Sequence, residues 1–192
     1  MKKIFLFLFF MIYISCEQKN TEKNTLKIEN TDTTQVISDQ KEYDSIDYER
    51  IGFELMTSES LNKLQLGIKV DEVLKIIGEP TDKSKNEFWE ADGEYHQTYN
   101  YSTLGIELDI IGENQIDKKV NMITITKPCD FATKKGISIG SNYNIVKKAY
   151  IKHFNPDFSD SETIVAGSIY GGVIFNFEAE KVSSIFIGAG AE

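Results

Sequence analysis

The sequence predicts an α+β fold in which two tandem units, each a short helix followed by an antiparallel meander, form one helix-on-sheet layer. Three observations carry this reading: apolar residues at helical spacing behind a glycine, apolar residues in strict alternation further on, and the same order of both met twice. The segment "LGIKVDEVLKIIGEP" (Leu66–Pro80) aligns with "IGSNYNIVKKAYIKHFNP" (Ile139–Pro156), placing Gly67 on Gly140 and Val73 on Val146. Downstream, "LGIELDI" (Leu104–Ile110) aligns with "GGVIFNF" (Gly171–Phe177), and "KVNMITIT" (Lys119–Thr126) with "KVSSIFIG" (Lys181–Gly188).

In chain order, the first element is an address. Lys2 and Lys3 precede an apolar run from Ile4 to Ser15, about a dozen residues where a spanning helix needs roughly 20. A positive start, a short apolar block and a small residue before the cut are the parts of a secretory signal, expected over residues 1–15. Tyr13-Ile14-Ser15-Cys16 resembles the bacterial lipobox, which implies that Cys16 is acylated and becomes the mature N-terminus. More than one acyl chain is needed for stable anchoring, and lipoprotein-type modification supplies them. The polar stretch through residue 48 is too poor in apolar residues to fold and reads as a disordered tether. The two helix-plus-sheet units are then expected over residues 49–130 and 131–192.

Within the first unit Val70, Val73, Leu74 and Ile77 fall on one helical stripe, and Gly78 and Pro80 stop the helix. In the second, Asn142 is an N-cap, Tyr143, Val146 and Tyr150 mark the buried face, and His153 and Phe154 prolong the helix by nearly a turn. Ile106, Leu108 and Ile110 point one way along a strand while Glu107 and Asp109 point the other. Val173, Phe175 and Phe177 repeat that inward set, and Ile123/Ile125 correspond to Ile185/Ile187 in the closing strands. Gly112–Asn114 and Glu178–Lys181 are the expected hairpin connections.

Gly67 to Pro80, followed by Trp89, Tyr99, Tyr101 and the strand led by Gly105, resembles the helix-plus-sheet module of the SmpA/OmlA lipoproteins, also called BamE-like. The tandem arrangement is similar to that of the β-lactamase inhibitor protein family, in which two such modules form one long curved sheet. The resemblance spans about residues 60–190, and it implies a fold more than a function.

The chain carries a net charge of −9, which disfavours nucleic acid and anionic lipid surfaces as direct partners. With Cys16 acylated, only Cys129 is left, so the fold relies on its core and not on a disulfide. Cys129, His96 and His153 are the candidates for nucleophilic or acid–base chemistry, but no nucleophile elbow or cysteine-protease signature surrounds them. Cys129 reads as a small buried hydrophobe, and the two histidines as structural or solvated. Two histidines without a Cys/His cluster do not make a zinc site. The run "NPDFSDSE" (Asn155–Glu162) lacks the glycine and distal glutamate of a calcium loop. No cofactor, no metal and no catalysis are therefore expected. The aromatics Trp89, Tyr95, Tyr99, Tyr101 and Tyr170 are the candidate partner-binding set, on the reading that they line an open sheet face. The function expected is a lipid-anchored binding or scaffold lipoprotein of the bacterial cell envelope, outer membrane favoured. It would hold the membrane through its lipid and a protein partner through the sheet; the alternative is an inhibitor or immunity-type protein that blocks an enzyme's active site.

Overall fold

The computed structural model describes residues 46–190; the expected signal, Cys16 and the tether up to residue 45 lie outside the described residues. The helices are α1 (Tyr48–Ser58), α2 (Val70–Ile77) and α3 (Tyr143–Ala149). The strands are β1 (Asp82–Lys83), β2 (Glu87–Trp89), β3 (Glu94–Tyr101), β4 (Ile106–Ile111), β5 (Lys119–Thr126), β6 (Thr163–Ser168), β7 (Gly171–Glu178) and β8 (Lys181–Gly188). All eight strands pair antiparallel in one sheet of order β1-β3-β4-β5-β8-β7-β6, with β2 also on β3. Among the described residues no helix is long and apolar enough to cross a membrane.

Alternation decides the layering. Leu108, Ile110, Ile123 and Ile125 on one side of the midline, and Val173, Phe175, Ile185 and Ile187 on the other, are buried in the core with Val73 of α2 and Val146 of α3. At the midline β5 pairs with β8, Ile123 opposite Ile187 and Ile125 opposite Ile185, with Thr124 and Phe186 facing each other between them.

Helices α2 and α3 are each sewn to a closing strand by matching bonds. The N–H of Gly67 donates to the Val120 carbonyl (2.7 Å) and that of Gly140 to the Val182 carbonyl (2.8 Å). Val70 N–H reaches Lys118 O and Tyr143 N–H reaches Glu180 O, each at 3.0 Å. Gly67 and Gly140 take φ of 79° and 86°, a left-handed backbone that favours glycine. The ladder between β4 and β5 slips at Asp109/Ile110, and that between β7 and β8 at Asn176/Phe177, the same point by the alignment of Leu104–Ile110 with Gly171–Phe177.

Three expectations are corrected. Tyr48, placed at the end of the tether, opens α1. Asp47 caps that helix by accepting the Arg50 N–H at 3.0 Å. The second helix ends at Ala149 with Tyr150 as its C-cap, so His153 and Phe154 lie beyond it. Tyr99 and Tyr101 do not face an open surface: they are 1% and 2% exposed and belong to the helix-covered core, where the Tyr101 hydroxyl donates to Gly78 O at 3.2 Å. The odd-numbered face of β3 is the one that α2 covers, and burial in the core pushes the Tyr101 phenol up to about 12.

Helix α1 rests on the backbone of β6 and β7. A Cβ on Gly52 would lie 1.8 Å from the Gly171 carbonyl oxygen, and a Cβ on Gly167 would lie 2.3 Å from the Gly52 Cα. Gly171 shares the face of Val173 and Phe175, and a Cβ there would meet Phe53 and Met56, so α1 lies on the helix side, where Leu55 joins the core. Beyond Leu55, the buried Glu59 accepts from Tyr150 Oη (2.8 Å) and from the Lys134 N–H (2.8 Å), tying the end of α1 to the end of α3. Gly52→Ala is therefore expected to cost about 2 kcal/mol or more by overpacking, read as a loss of several degrees in Tm. A Gly52→Ala protein that melts like the wild type would show that α1 does not sit on these strands.

Candidate functional site

Polar residues on the sheet face opposite the helices converge at one end of the sheet. His96 on β3 is diagonal to Asp109 on β4, because the register sets Thr98 against Asp109 and His96 against Ile111. His96 Nδ1 lies 3.1 and 3.0 Å from the two Asp109 carboxylate oxygens, and Nε2 lies 2.8 Å from Asp92 Oδ2 in the β2–β3 turn. Asn121 on β5 donates to Asp109 Oδ2 at 2.9 Å. Trp89 stacks on the imidazole with ring centroids 3.8 Å apart and planes 8° from parallel. His96 is left 3% exposed, although the other residues on its face of β3, Glu94, Thr98 and Asn100, are polar and more exposed.

The electrostatics follow from the partners. Burial opposes the charged imidazole, but the hydrogen bonds to Asp92 and Asp109 outweigh it and raise the His96 pKa above its ordinary value. Asp92 is held below the usual carboxylate value by the hydrogen bond from His96 and then by the Glu94 N–H. A carboxylate at each nitrogen favours the protonated ring, which donates through both nitrogens. In this arrangement it is a clamp that joins the β2–β3 turn, β4 and β5. Beside it lies a cavity of about 300 Å³ whose wall includes Ser84, Glu87, Trp89, Glu107, Asp109 and Met122.

The aromatic candidates separate. Trp89 (39% exposed) and Tyr170 (46%) are at the surface, but Trp89 is at the β2–β3 end of the sheet and Tyr170 lies in the tight β6–β7 turn by the start of α1. Tyr95 is half-buried on the helix side and meets the exposed Phe88 edge-on at 5.3 Å. The structure thus does not bring the five together as one surface. The open face carries instead half-buried Met122, Ile174 and Phe186. A Cβ on Gly188 would lie 2.8 Å from Met122 Cγ and 3.1 Å from Phe186 Cζ, so the two side chains meet over that glycine. Sequence reading missed this patch; the signal was the apolar Met122 and Phe186 at positions out of phase with the inward isoleucines.

The other candidates are placed as follows. Cys129 is 7% exposed and burial raises its thiol pKa, which disfavours the reactive thiolate. His153 lies in the turn after α3, its Nδ1 buried without a hydrogen-bond partner, and burial followed by the Lys135 charge lowers its pKa. In the acidic run, Asp160 Oδ1 accepts the N–H groups of Glu162 and Thr163, and Asn155 Nδ2 donates to Gly167 O, so these side chains brace the chain along the edge of β6. Among the described residues no group of three or more His, Cys, Asp and Glu is arranged to hold a metal ion.

Comparison of the chain with protein families, characterised proteins and solved structures found no significant match.

The clamp has an inner and an outer carboxylate. Asp109→Ala should destabilise the protein by about 3 kcal/mol near neutral pH, because it leaves a buried cation half-paired, whereas Asp92→Ala, at the surface, should cost much less. Urea unfolding of the two variants measures this, and equal losses, or none at Asp109, contradict the inner role of Asp109.

Proposed function

We propose that this chain is a lipid-anchored lipoprotein of the bacterial cell envelope, outer membrane favoured, that acts by binding and without catalysis. In this reading Cys16 carries the lipid, the following polar segment is the tether, and the folded part holds a protein partner on the sheet face opposite the helices. One observation carries it: α1, α2 and α3 all contribute to the core on one side of the sheet, while the other side presents Met122, Ile174 and Phe186 half-buried, with the Trp89 cavity at one end. A half-covered apolar patch rimmed by polar residues is the usual make-up of a protein-binding face.

The chain is also read as a tandem of two BamE-like helix-plus-meander units joined at the β5–β8 seam. Supporting this are the matched bonds from Gly67 and Gly140, the ladder slips at Asp109/Ile110 and Asn176/Phe177, and the pairing of Ile123 with Ile187 and Ile125 with Ile185. If the alignment places Ile123 on Ile185 and Ile125 on Ile187, those two seam pairs exchange under a two-fold rotation through Thr124 and Phe186. The outer edges differ, β1 and β2 lying on β3 while the 153–155 segment lies along β6.

Crosslinking capture from native envelopes with the full lipidated protein tests both parts of the functional reading. Trp89→Ala and Phe186→Ala should each weaken capture, a hot-spot truncation losing about 2 kcal/mol, or roughly thirtyfold in affinity. His153→Ala and Cys129→Ser should capture as the wild type does. Cys16→Ser should lose a fatty-acid tag and leave the membrane fraction. Undiminished capture by folded Trp89 and Phe186 variants removes the open-face reading, and a Cys16→Ser protein that still carries the tag removes the anchor.

A further inference from the structure

Every residue from Thr81 to Glu94 is exposed, including all of β1 and β2, yet β2 and the turn after it fold back over a buried histidine. The segment 87–93 holds to the sheet by a three-residue ladder with β3, by the edge contact of Phe88 with Tyr95, and by two contacts that both end on His96: the Trp89 stack and the Asp92 hydrogen bond. Asp92 also shapes the turn, its Oδ1 accepting the Glu94 N–H at 3.1 Å.

From this geometry we propose that residues 87–93 form a proton-operated strap, clamped over the polar cavity while His96 is an imidazolium and released when His96 gives up its proton. The released proton goes to water and no bond between heavy atoms changes. The neutral ring can donate through only one nitrogen. Nδ1 keeps the proton, since Asp109 faces it with both oxygens, is itself bound by Asn121 and is only 14% exposed. Nε2 then turns a lone pair on the Asp92 carboxylate 2.8 Å away, and Asp92, on the surface, moves into water and takes the turn and Trp89 with it. The charged groups facing the ring are Asp92 from the turn and Asp109 from β4; β5 contributes the neutral Asn121 and β2 the Trp89 ring, while Lys85, Glu87 and Glu107 stand further along the same cavity.

The direction is fixed by linkage. The folded histidine binds its proton more tightly than an unfolded one, so the clamp is at full strength below the ordinary histidine value of about 6.5 and is lost as the pH rises through the raised folded pKa. The strap is closed in acid and opens toward alkaline pH.

Trp89 is the only tryptophan in the chain, so its fluorescence reports the strap without a binding partner. Acrylamide quenching of the full-length protein, followed from pH about 5 to about 9.5, should rise through one transition whose midpoint lies above about 6.5. The ring-proton resonances of His96 should titrate at that same midpoint, and far-UV circular dichroism should stay constant. His96→Gln should abolish the transition, and Asp92→Asn, a surface change that leaves the inner pair in place, should lower its midpoint. Flat wild-type quenching across the range overturns the proposal. So does a transition in Asp92→Asn at the wild-type midpoint, or one that persists in a folded His96→Gln protein.

Discussion

The antiparallel pairing of β5 with β8 is the constraint on which the rest of the structure depends. Without it there are two separate sheets, one of five strands (β1–β5) and one of three (β6–β8), each with helix on one face and an apolar edge; with it there is a single sheet. Ile123, Ile125, Ile185 and Ile187 are all fully buried at the seam, and burying an isoleucine side chain contributes about 1.5–3 kcal/mol relative to leaving it exposed. The seam also fixes the face on which every other side chain lies, since a slip of one residue would turn the isoleucines outward and bring Thr124 and Phe186 into the core.

Once that parity is set, the two faces have different tasks. The inward one is closed by α2 and α3 over their own strands and by α1 across β6 and β7, an approach made possible by Gly52, Gly167 and Gly171. On the outward one, apolar Met122 and Phe186 meet near the seam and the charged cluster of His96, Asp92 and Asp109 lies toward the β2–β3 end. At the polar end Trp89 stacks on His96, and the carboxylates on both sides of that histidine make it a tie between elements. Binding on this face, as proposed, would use the exposed apolar groups near the seam with the clamp as a rim.

Much of this was legible in the sequence, and the reasons it was not legible elsewhere are specific. Val70, Val73 and Val146 declared α2 and α3 by their spacing, and Ile106, Leu108 and Ile110 declared β4 by alternation; the structure buries each of them. Helix α1 was hidden because Gly52 in its middle costs helix stability, and the reason for that glycine is the backbone of β6 and β7, far away in the chain. β1 and β2 are too short and too exposed to leave a periodic trace. Alternation put Tyr99 and Tyr101 on one face but could not say which face the helix covers. The Asp92–His96 spacing of four residues was visible, but the bond to Asp109 arises from the β3–β4 register, which only the folded chain supplies.

Amide hydrogen exchange on the intact protein tests the central claim, that β5 and β8 make the two halves one cooperative sheet. The amides of Ile123–Thr126 and Ser184–Ile187 should be among the slowest in the molecule and exchange at a common rate, since opening either strand opens the seam. Fast exchange along the seam, or one half exchanging well before the other while its partner stays protected, would contradict it.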